Sequence, residues 1–278
     1  MPTCTITTTT GMRMGILDYD FMRTAFLASG IVAVLAGIVG VFMVGRSQTF
    51  AGHALSHVGF AGATATALIG IDPIWGMIAF TMVAGIGMGA LGERLSGRDV
   101  AIGVVLSLSL GFGLLFLHFY TQFATQATAL LFGNVLAVRP ATVVLLAVLA
   151  VISLVALALV SRPLLFATLQ PELAEASGVP VRGVGIAFMA IVALAVSASV
   201  QIVGVLLVFA LMVGPAAAAE RLTTTLRATL ALAALLALVE AWAGITVAFY
   251  TDWPTSFCIS ALSALVYFAA IALPRRAG

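Results

Sequence analysis

Two histidines four residues apart stand inside a long apolar segment, Phe50-Ala-Gly-His53-Ala-Leu-Ser-His57-Val-Gly-Phe60. On a helix, residues at i and i+4 share one face, with Cβ atoms roughly 5–6 Å apart, so both imidazoles could bind one metal ion. Ionisable side chains within apolar spans are costly and usually mark an ion or substrate path. The pair therefore predicts a metal site at membrane depth. The alternative is two neutral imidazoles, each hydrogen-bonded to a neighbouring helix.

Hydrolytic chemistry does not suit this pair. A metalloprotease with the same histidine spacing needs a glutamate directly after the first histidine as general base, and this chain has Ala54 there. A nucleotide-binding loop of the Gly-x-x-x-x-Gly-Lys-[Ser/Thr] type is also excluded, since the chain contains no lysine. The sequence predicts a protein that is not itself an enzyme.

Glu240 lies near the middle of another apolar segment, too deep for its carboxylate to reach water easily. Two interpretations stay open, a protonated side chain hydrogen-bonded to a neighbouring helix and a member of an ion path. If Glu240 faces His53 and His57, the three side chains form a site of two imidazoles and one carboxylate.

The elements that must hold these residues are membrane helices. The chain has 278 residues, 63% of them hydrophobic and 8% charged, with a mean hydropathy of +1.22, whereas a soluble domain has roughly 25% charged residues. Apolar segments near the length of a bilayer crossing predict spans at residues 21–44, 50–71, 74–91, 100–119, 140–160, 184–198, 202–219, 228–250 and 255–273. The sixth and seventh are either two helices meeting at a turn near 197–201 or one bent passage.

The predicted fold is therefore all-α, a polytopic helical membrane protein with eight or nine transmembrane helices. One transmembrane domain covers residues 21–273, between a disordered N-terminal tail (1–20) and a short C-terminal tail (274–278). With nine crossings and the N-terminus outside, nine arginines fall in inner loops and three outside. This distribution agrees with the excess of basic residues that membrane proteins carry in their cytoplasmic loops. The apolar spans are expected to be surrounded by membrane lipid. The arginines form no basic block, so nucleic acid is not expected as a partner.

The longest predicted inner loop, residues 161–183, contains signals for a short helix. Pro171 suits a first helical turn, Glu172 and Glu175 favour a helix N-terminus, and Gly178 followed by Pro180 ends the segment. A helix exposed at the cytoplasmic face predicts contact with a partner.

Glycine is concentrated around the histidines. Of 27 glycines, 14 fall between Gly45 and Gly113, including the pair Gly85-x-x-x-Gly89. Small residues let helix backbones approach closely in lipid, so the helices of this region are expected to pack tightly.

Several segments, in this order, resemble the integral membrane permeases of bacterial zinc and manganese ABC importers, the ABC-3 family. The resemblance covers residues 17–272, and the matching stretches are 50–57, 99–103, 131–137, 172–181, 203–208 with 215–218, and 252–255. It implies a pair of identical permeases, cytoplasmic ATP-binding subunits that carry the ATP, an extracytoplasmic metal-binding protein and a bacterial inner-membrane location. It also implies that residues 170–180 are the coupling helix that docks on the ATPase, through Pro171, Glu172, Leu173, Glu175 and Gly178.

One position departs from the family pattern. The family usually has Asp where this chain has His53, in an Asp-Ala-x-Ser-His signature whose Asp and His are implicated in metal passage. The resemblance assigns His57 the role of the family's His in metal passage. It assigns His53 the role of the family's Asp by position only, because an imidazole replaces the carboxylate. Because imidazoles suit Zn²⁺ better than Mn²⁺, the transported ion is expected to be zinc rather than manganese, with no cofactor held permanently.

Two other classes of transporter stay open. A permease for a metal chelate or a cobalamin-like substrate is expected to have a wider path without a histidine pair. A carrier that works alone, coupled to protons or ions, needs intramembrane carboxylates, and Glu240 is the single good candidate.

Overall fold

The computed structural model describes residues 16, 19–91, 98–119, 131, 133 and 135–273. The predicted C-terminal tail lies outside these residues, as does the predicted N-terminal tail apart from residues 16, 19 and 20. Ten α-helices, numbered in chain order, form nearly all of the described part: α1 (Asp20–Gly45), α2 (Thr49–Leu68), α3 (Pro73–Ala90), α4 (Arg98–His118), α5 (Pro140–Leu169), α6 (Pro171–Ala176), α7 (Val181–Val203), α8 (Val205–Leu222), α9 (Leu226–Thr251) and α10 (Thr255–Ala272).

The predicted all-α membrane fold is confirmed. Among the described residues, nine helices have 18 residues or more, and seven of these are long and apolar enough to cross a membrane. α2, which carries both histidines, is not among the seven. Its mixture of histidine, serine, threonine and glycine suits a helix enclosed by protein rather than by lipid, and most of its residues are buried.

The bundle has a buried centre and a lipid-like exterior. α1 and α7 are mostly buried, whereas only a small share of α4, α5 and α10 is buried within the structure. α2 packs against α3, α4, α7 and α8, while α9 packs against α1, α8 and α10. The helices that carry the histidines and Glu240 therefore share α8 as a neighbour but do not pack closely against each other.

The expected close packing of glycines is observed between α3 and α7. A Cβ atom added at Gly85 would lie 2.8 Å from the carbonyl oxygen of Met189, and one at Gly89 would lie 2.7 Å from the Cα atom of Ile186. Both distances are shorter than a van der Waals contact. The glycines thus permit the two backbones to touch.

We expect the variant Gly85→Ala to lower the free energy of unfolding by about 1–3 kcal/mol, because the added methyl group meets backbone that cannot rotate away. Gly87 lies between the two contact glycines on the same helix, and a Cβ atom there meets nothing within 4 Å. The matched variant Gly87→Ala should leave stability unchanged or raised. Thermal unfolding in detergent measures both, and equal effects would contradict the packing role of Gly85.

Two predicted boundaries are wrong. The sixth and seventh segments are separate helices, but they meet at Gly204, whose φ of +84° is readily adopted only by glycine, and not at residues 197–201. α5 continues to Leu169 through Pro163, so residues 161–169 are helix rather than loop. With 30 residues, α5 is about 45 Å long and exceeds the hydrocarbon thickness of about 30 Å.

Candidate metal path at the histidine pair

His53 and His57 lie on one face of α2, in its second and third turns. Their ring centroids are 4.9 Å apart and the ring planes are nearly perpendicular, at 88°. His57 is 7% exposed and His53 is partly buried. The structure thus brings the predicted pair together, within the reach of one ion.

Neither ring is anchored through its Nδ1 atom. Both Nδ1 atoms are buried, and neither has a hydrogen-bond partner among the described residues. Buried polar atoms are normally paired, and an unpaired imidazole nitrogen is a free ligand for a transition metal. No hydrogen bond to a neighbouring helix, the alternative interpretation of the pair, is observed at these Nδ1 atoms in the part of the chain that the structure describes.

The residues around the pair and the next turn of α2 come from four helices. The Phe209 ring, on α8, lies edge-on to His53 with the centroids 5.2 Å apart. The Ser56 hydroxyl, fully buried between the two histidines in sequence, donates to the backbone oxygen of His53 (2.7 Å). One turn further along α2, Gly59 lies against Thr81 of α3, whose hydroxyl is 2.6 Å from that of Ser197 on α7.

Local sequence does not predict the contact of Phe209 with His53 or the contact between Thr81 and Ser197. A phenylalanine in an apolar segment looks like any other lipid-facing or core residue. Hydroxyl groups in membrane helices usually bond to their own backbone, as Thr81 and Ser197 also do here. Only the packing of α3, α7 and α8 around α2 identifies these residues.

Glu240 does not join the pair. Among the described residues, no group of three histidine, cysteine, aspartate or glutamate side chains could hold one metal ion. Glu240 is 2% exposed, and Ser263 of α10 is its polar neighbour. The site of two imidazoles and one carboxylate is thus not formed among the described residues, because α9 packs against α1, α8 and α10 and not closely against α2.

Glu240 is nevertheless an unusual carboxyl group. Neither of its oxygens has a hydrogen-bond partner among the described residues, and the Ser263 hydroxyl donates instead to the carbonyl oxygen of Ala210 (3.0 Å).

The short helix predicted near residue 171 is present as α6. It begins at Pro171, carries Glu172 in its first turn and is followed by Gly178, which has a φ of +83°. Ala174 is fully buried against the bundle, whereas the Leu173 side chain is 53% exposed. α6 thus presents an apolar side chain to its surroundings.

A bundle of long apolar helices around a histidine pair defines the class of protein as a polytopic helical membrane protein. The model of the ABC 3 transport family matches residues 18–274, and the chain belongs to that family. It is a multi-pass membrane permease of the ABC transporter class.

Individual proteins agree with this assignment. The chain is 28% identical over 265 residues to the manganese transport system membrane protein MntC of Listeria monocytogenes, covering 95% of this chain and 94% of MntC. It is 27% identical to the manganese import system permease protein ScaB of Streptococcus parasanguinis, with 91% and 90% covered. The structure of PsaBC from Streptococcus pneumoniae in complex with Fab has the same fold, with a TM-score of 0.83, 24% identity and coverage of 92% and 93%.

Proposed function

We propose that this chain is the permease subunit of an ATP-driven importer of a divalent metal ion, and that the ion passes His53 and His57 on its way to the cytoplasm. The observation that carries the proposal is the pair of nearly perpendicular imidazoles, whose buried Nδ1 atoms have no hydrogen-bond partner among the described residues, on the enclosed helix of an ABC permease. Two protein ligands leave coordination positions open for water, so the ion is bound weakly enough to be released.

The donor set favours zinc as the transported ion. Two neutral imidazoles match the nitrogen preference of Zn²⁺, whereas Mn²⁺ prefers carboxylate and water oxygens. Manganese is the second candidate, and one observation favours it, the names of the manganese transport relatives MntC and ScaB. A permease for a metal chelate is expected to have a wider path without a histidine pair.

The remaining parts of the importer are proposed from the family. Two copies of the permease, formed by the domain at residues 21–273, would lie in the inner membrane of a bacterium. Cytoplasmic ATP-binding subunits would dock on α6 through Pro171, Glu172, Leu173, Glu175 and Gly178, and they would carry the ATP. An extracytoplasmic binding protein would deliver the metal, and no cofactor would be bound permanently.

The variant His53→Asp tests the metal preference. A carboxylate in place of one imidazole should favour the oxygen-preferring ion. We expect the ratio of manganese uptake to zinc uptake to rise about tenfold, which corresponds to a change of about 1.4 kcal/mol in relative affinity. Competition between the two ions for ATP-dependent uptake into proteoliposomes measures this ratio.

His53→Asn is the matched control. The asparagine side chain has the shape of aspartate and one oxygen that can bind a metal ion, but it has no charge. It should reduce uptake of both ions and shift the ratio less. An unchanged ratio in His53→Asp, at normal total uptake, would show that residue 53 does not set the metal preference.

A further inference from the structure

Arg46 connects the short turn between α1 and α2 to two other helices. Its Nη1 atom donates to the hydroxyl oxygen of Thr168 (2.6 Å) and to the carbonyl oxygen of Leu164 (3.3 Å), both near the end of α5. Its guanidinium carbon lies 5.7 Å from the ring centroid of Phe188 on α7, within the range of a cation–π contact. One partly buried side chain thus holds three segments of the bundle together.

The two helices that Arg46 contacts are those that flank α6. Thr168 is the last residue but one of α5, and α6 begins at Pro171. The backbone amide of Ala174 in α6 donates to the carbonyl oxygen of Gln170 (2.9 Å), the residue between α5 and α6. α7 begins at Val181, directly after the segment that follows α6. α6 is therefore joined through the chain to both helices that Arg46 contacts.

In the other direction, Arg46 is rigidly attached to the start of α2. The amides of Ser47 and Gln48 donate to the carbonyl oxygens of Val44 and Met43, both at 2.9 Å. Ser47 has a φ of +55°, a conformation that is tolerated only where the surroundings fix it. The Gln48 side chain is 3% exposed. This tight turn leads into α2, where His53 follows within two helical turns.

We propose that Arg46 is a positioning residue that transmits movement of α6 to the histidine pair. The inference rests on the proposed function, in which α6 is moved by the ATPase and the histidines bind the ion. A guanidinium group can hold two acceptors at once with charge-assisted hydrogen bonds. Displacement of the end of α5 would pull the turn before α2 and move both imidazoles together relative to Phe209 of α8, which now lies 5.2 Å from His53 between ring centroids.

The test is the number of zinc ions transported per ATP hydrolysed, in proteoliposomes that contain the complete importer. We expect Arg46→Ala to lower this ratio about tenfold, within the usual range of coupling between two sites, without loss of the ATPase on co-purification. Thr168→Val, which removes one acceptor but keeps the side-chain shape, should lower the ratio less, since the Leu164 carbonyl remains. Arg46→Lys keeps the charge and should restore part of the coupling.

Arg221 provides a matched control. Its Nε and Nη2 atoms donate to the carbonyl oxygens of Ala270 (2.9 Å) and Ile271 (3.0 Å) at the end of α10, away from the helices that flank α6. Arg221→Ala should lower the melting temperature but leave the transport ratio unchanged. Equal loss of the ratio in Arg221→Ala and Arg46→Ala would overturn the proposal, because it would indicate general destabilisation.

The remaining outcomes also decide the matter. A wild-type ratio in Arg46→Ala overturns the role of Arg46, provided that the wild-type importer transports zinc or manganese. If Arg46→Ala fails to assemble, the transport ratio of Thr168→Val tests the role of Arg46 instead. A wild-type ratio of zinc ions per ATP in Thr168→Val then overturns the proposal. Absence of ATP-driven uptake of both ions by the wild-type importer contradicts the proposed function instead.

Discussion

Replacement of His57 with alanine is expected to abolish ATP-driven metal uptake while the permease still folds and binds its ATPase. Removal of one of two imidazole ligands should lower the rate of zinc uptake by about 100-fold or more, since loss of even an outer-shell partner of a metal site costs about 10–100-fold. The fold should survive, because the Nδ1 atom of His57 makes no hydrogen bond among the described residues. Initial rates of uptake into proteoliposomes measure the effect.

His118 is the matched control for this variant. It is exposed at the end of α4 and lies outside the pair, so His118→Ala should transport zinc at the wild-type rate. Normal zinc accumulation by His57→Ala in metal-limited cells would contradict the role of the pair. Equal losses in the two variants would indicate that the effect is not specific to the site.

Removal of the exposed side chains of α6 is expected to have the second largest effect. We expect the double variant Glu172→Ala with Leu173→Ala to weaken binding of the ATPase about tenfold or more, because an apolar side chain at the centre of an interface can contribute about 2 kcal/mol. Leu173 is 53% exposed, so its truncation should not disturb the bundle. Co-purification with the ATPase, together with metal uptake, measures the loss.

Leu265→Ala distinguishes docking from a general effect of leucine loss. Leu265 is 65% exposed on α10, a helix that faces outward in the bundle, and its truncation should leave ATPase binding unchanged. Unchanged recruitment and uptake in the double variant would exclude α6 as the docking helix.

Local features of the sequence were sufficient to predict most helices and the histidine pair. Apolar segments of bilayer length define α1, α3, α4 and α10 to within two residues at each end. Proline, acidic residues and glycine at set positions define α6. The contact between His53 and His57 needs only the helical period, which brings residues four apart onto one face.

Contacts between helices could not be predicted in this way. Hydropathy indicates which residues avoid water, but in lipid the association of helices depends on packing and interhelical hydrogen bonds. Glu240 has the depth expected of a third ligand, yet α9 packs beside α1, α8 and α10. The contact between Arg46 and Thr168 joins residues 122 positions apart, and nothing in either local sequence indicates it.

The error at the end of α5 has a specific physical cause. Proline usually ends or kinks a helix, because it lacks an amide hydrogen and clashes with the preceding turn. Here the helix continues through Pro163, and the Ser161 hydroxyl donates to the carbonyl oxygen of Ala158 (2.7 Å) one turn earlier. Arg46 binds the carbonyl oxygen of Leu164 just beyond the proline. Side chains thus support the last turns of α5, which a pattern of residue types does not reveal.

The most direct test of a metal path at the histidine pair is metal uptake into proteoliposomes that contain the permease, its ATPase and the binding protein. Zn²⁺ and Mn²⁺ should be compared in parallel, with and without ATP, for the wild type and for His57→Ala. We expect accumulation that requires ATP, greater for zinc than for manganese, and absent from His57→Ala. Uptake by the permease without the ATPase, or equal uptake by wild type and His57→Ala, would contradict an ATP-driven path through this pair.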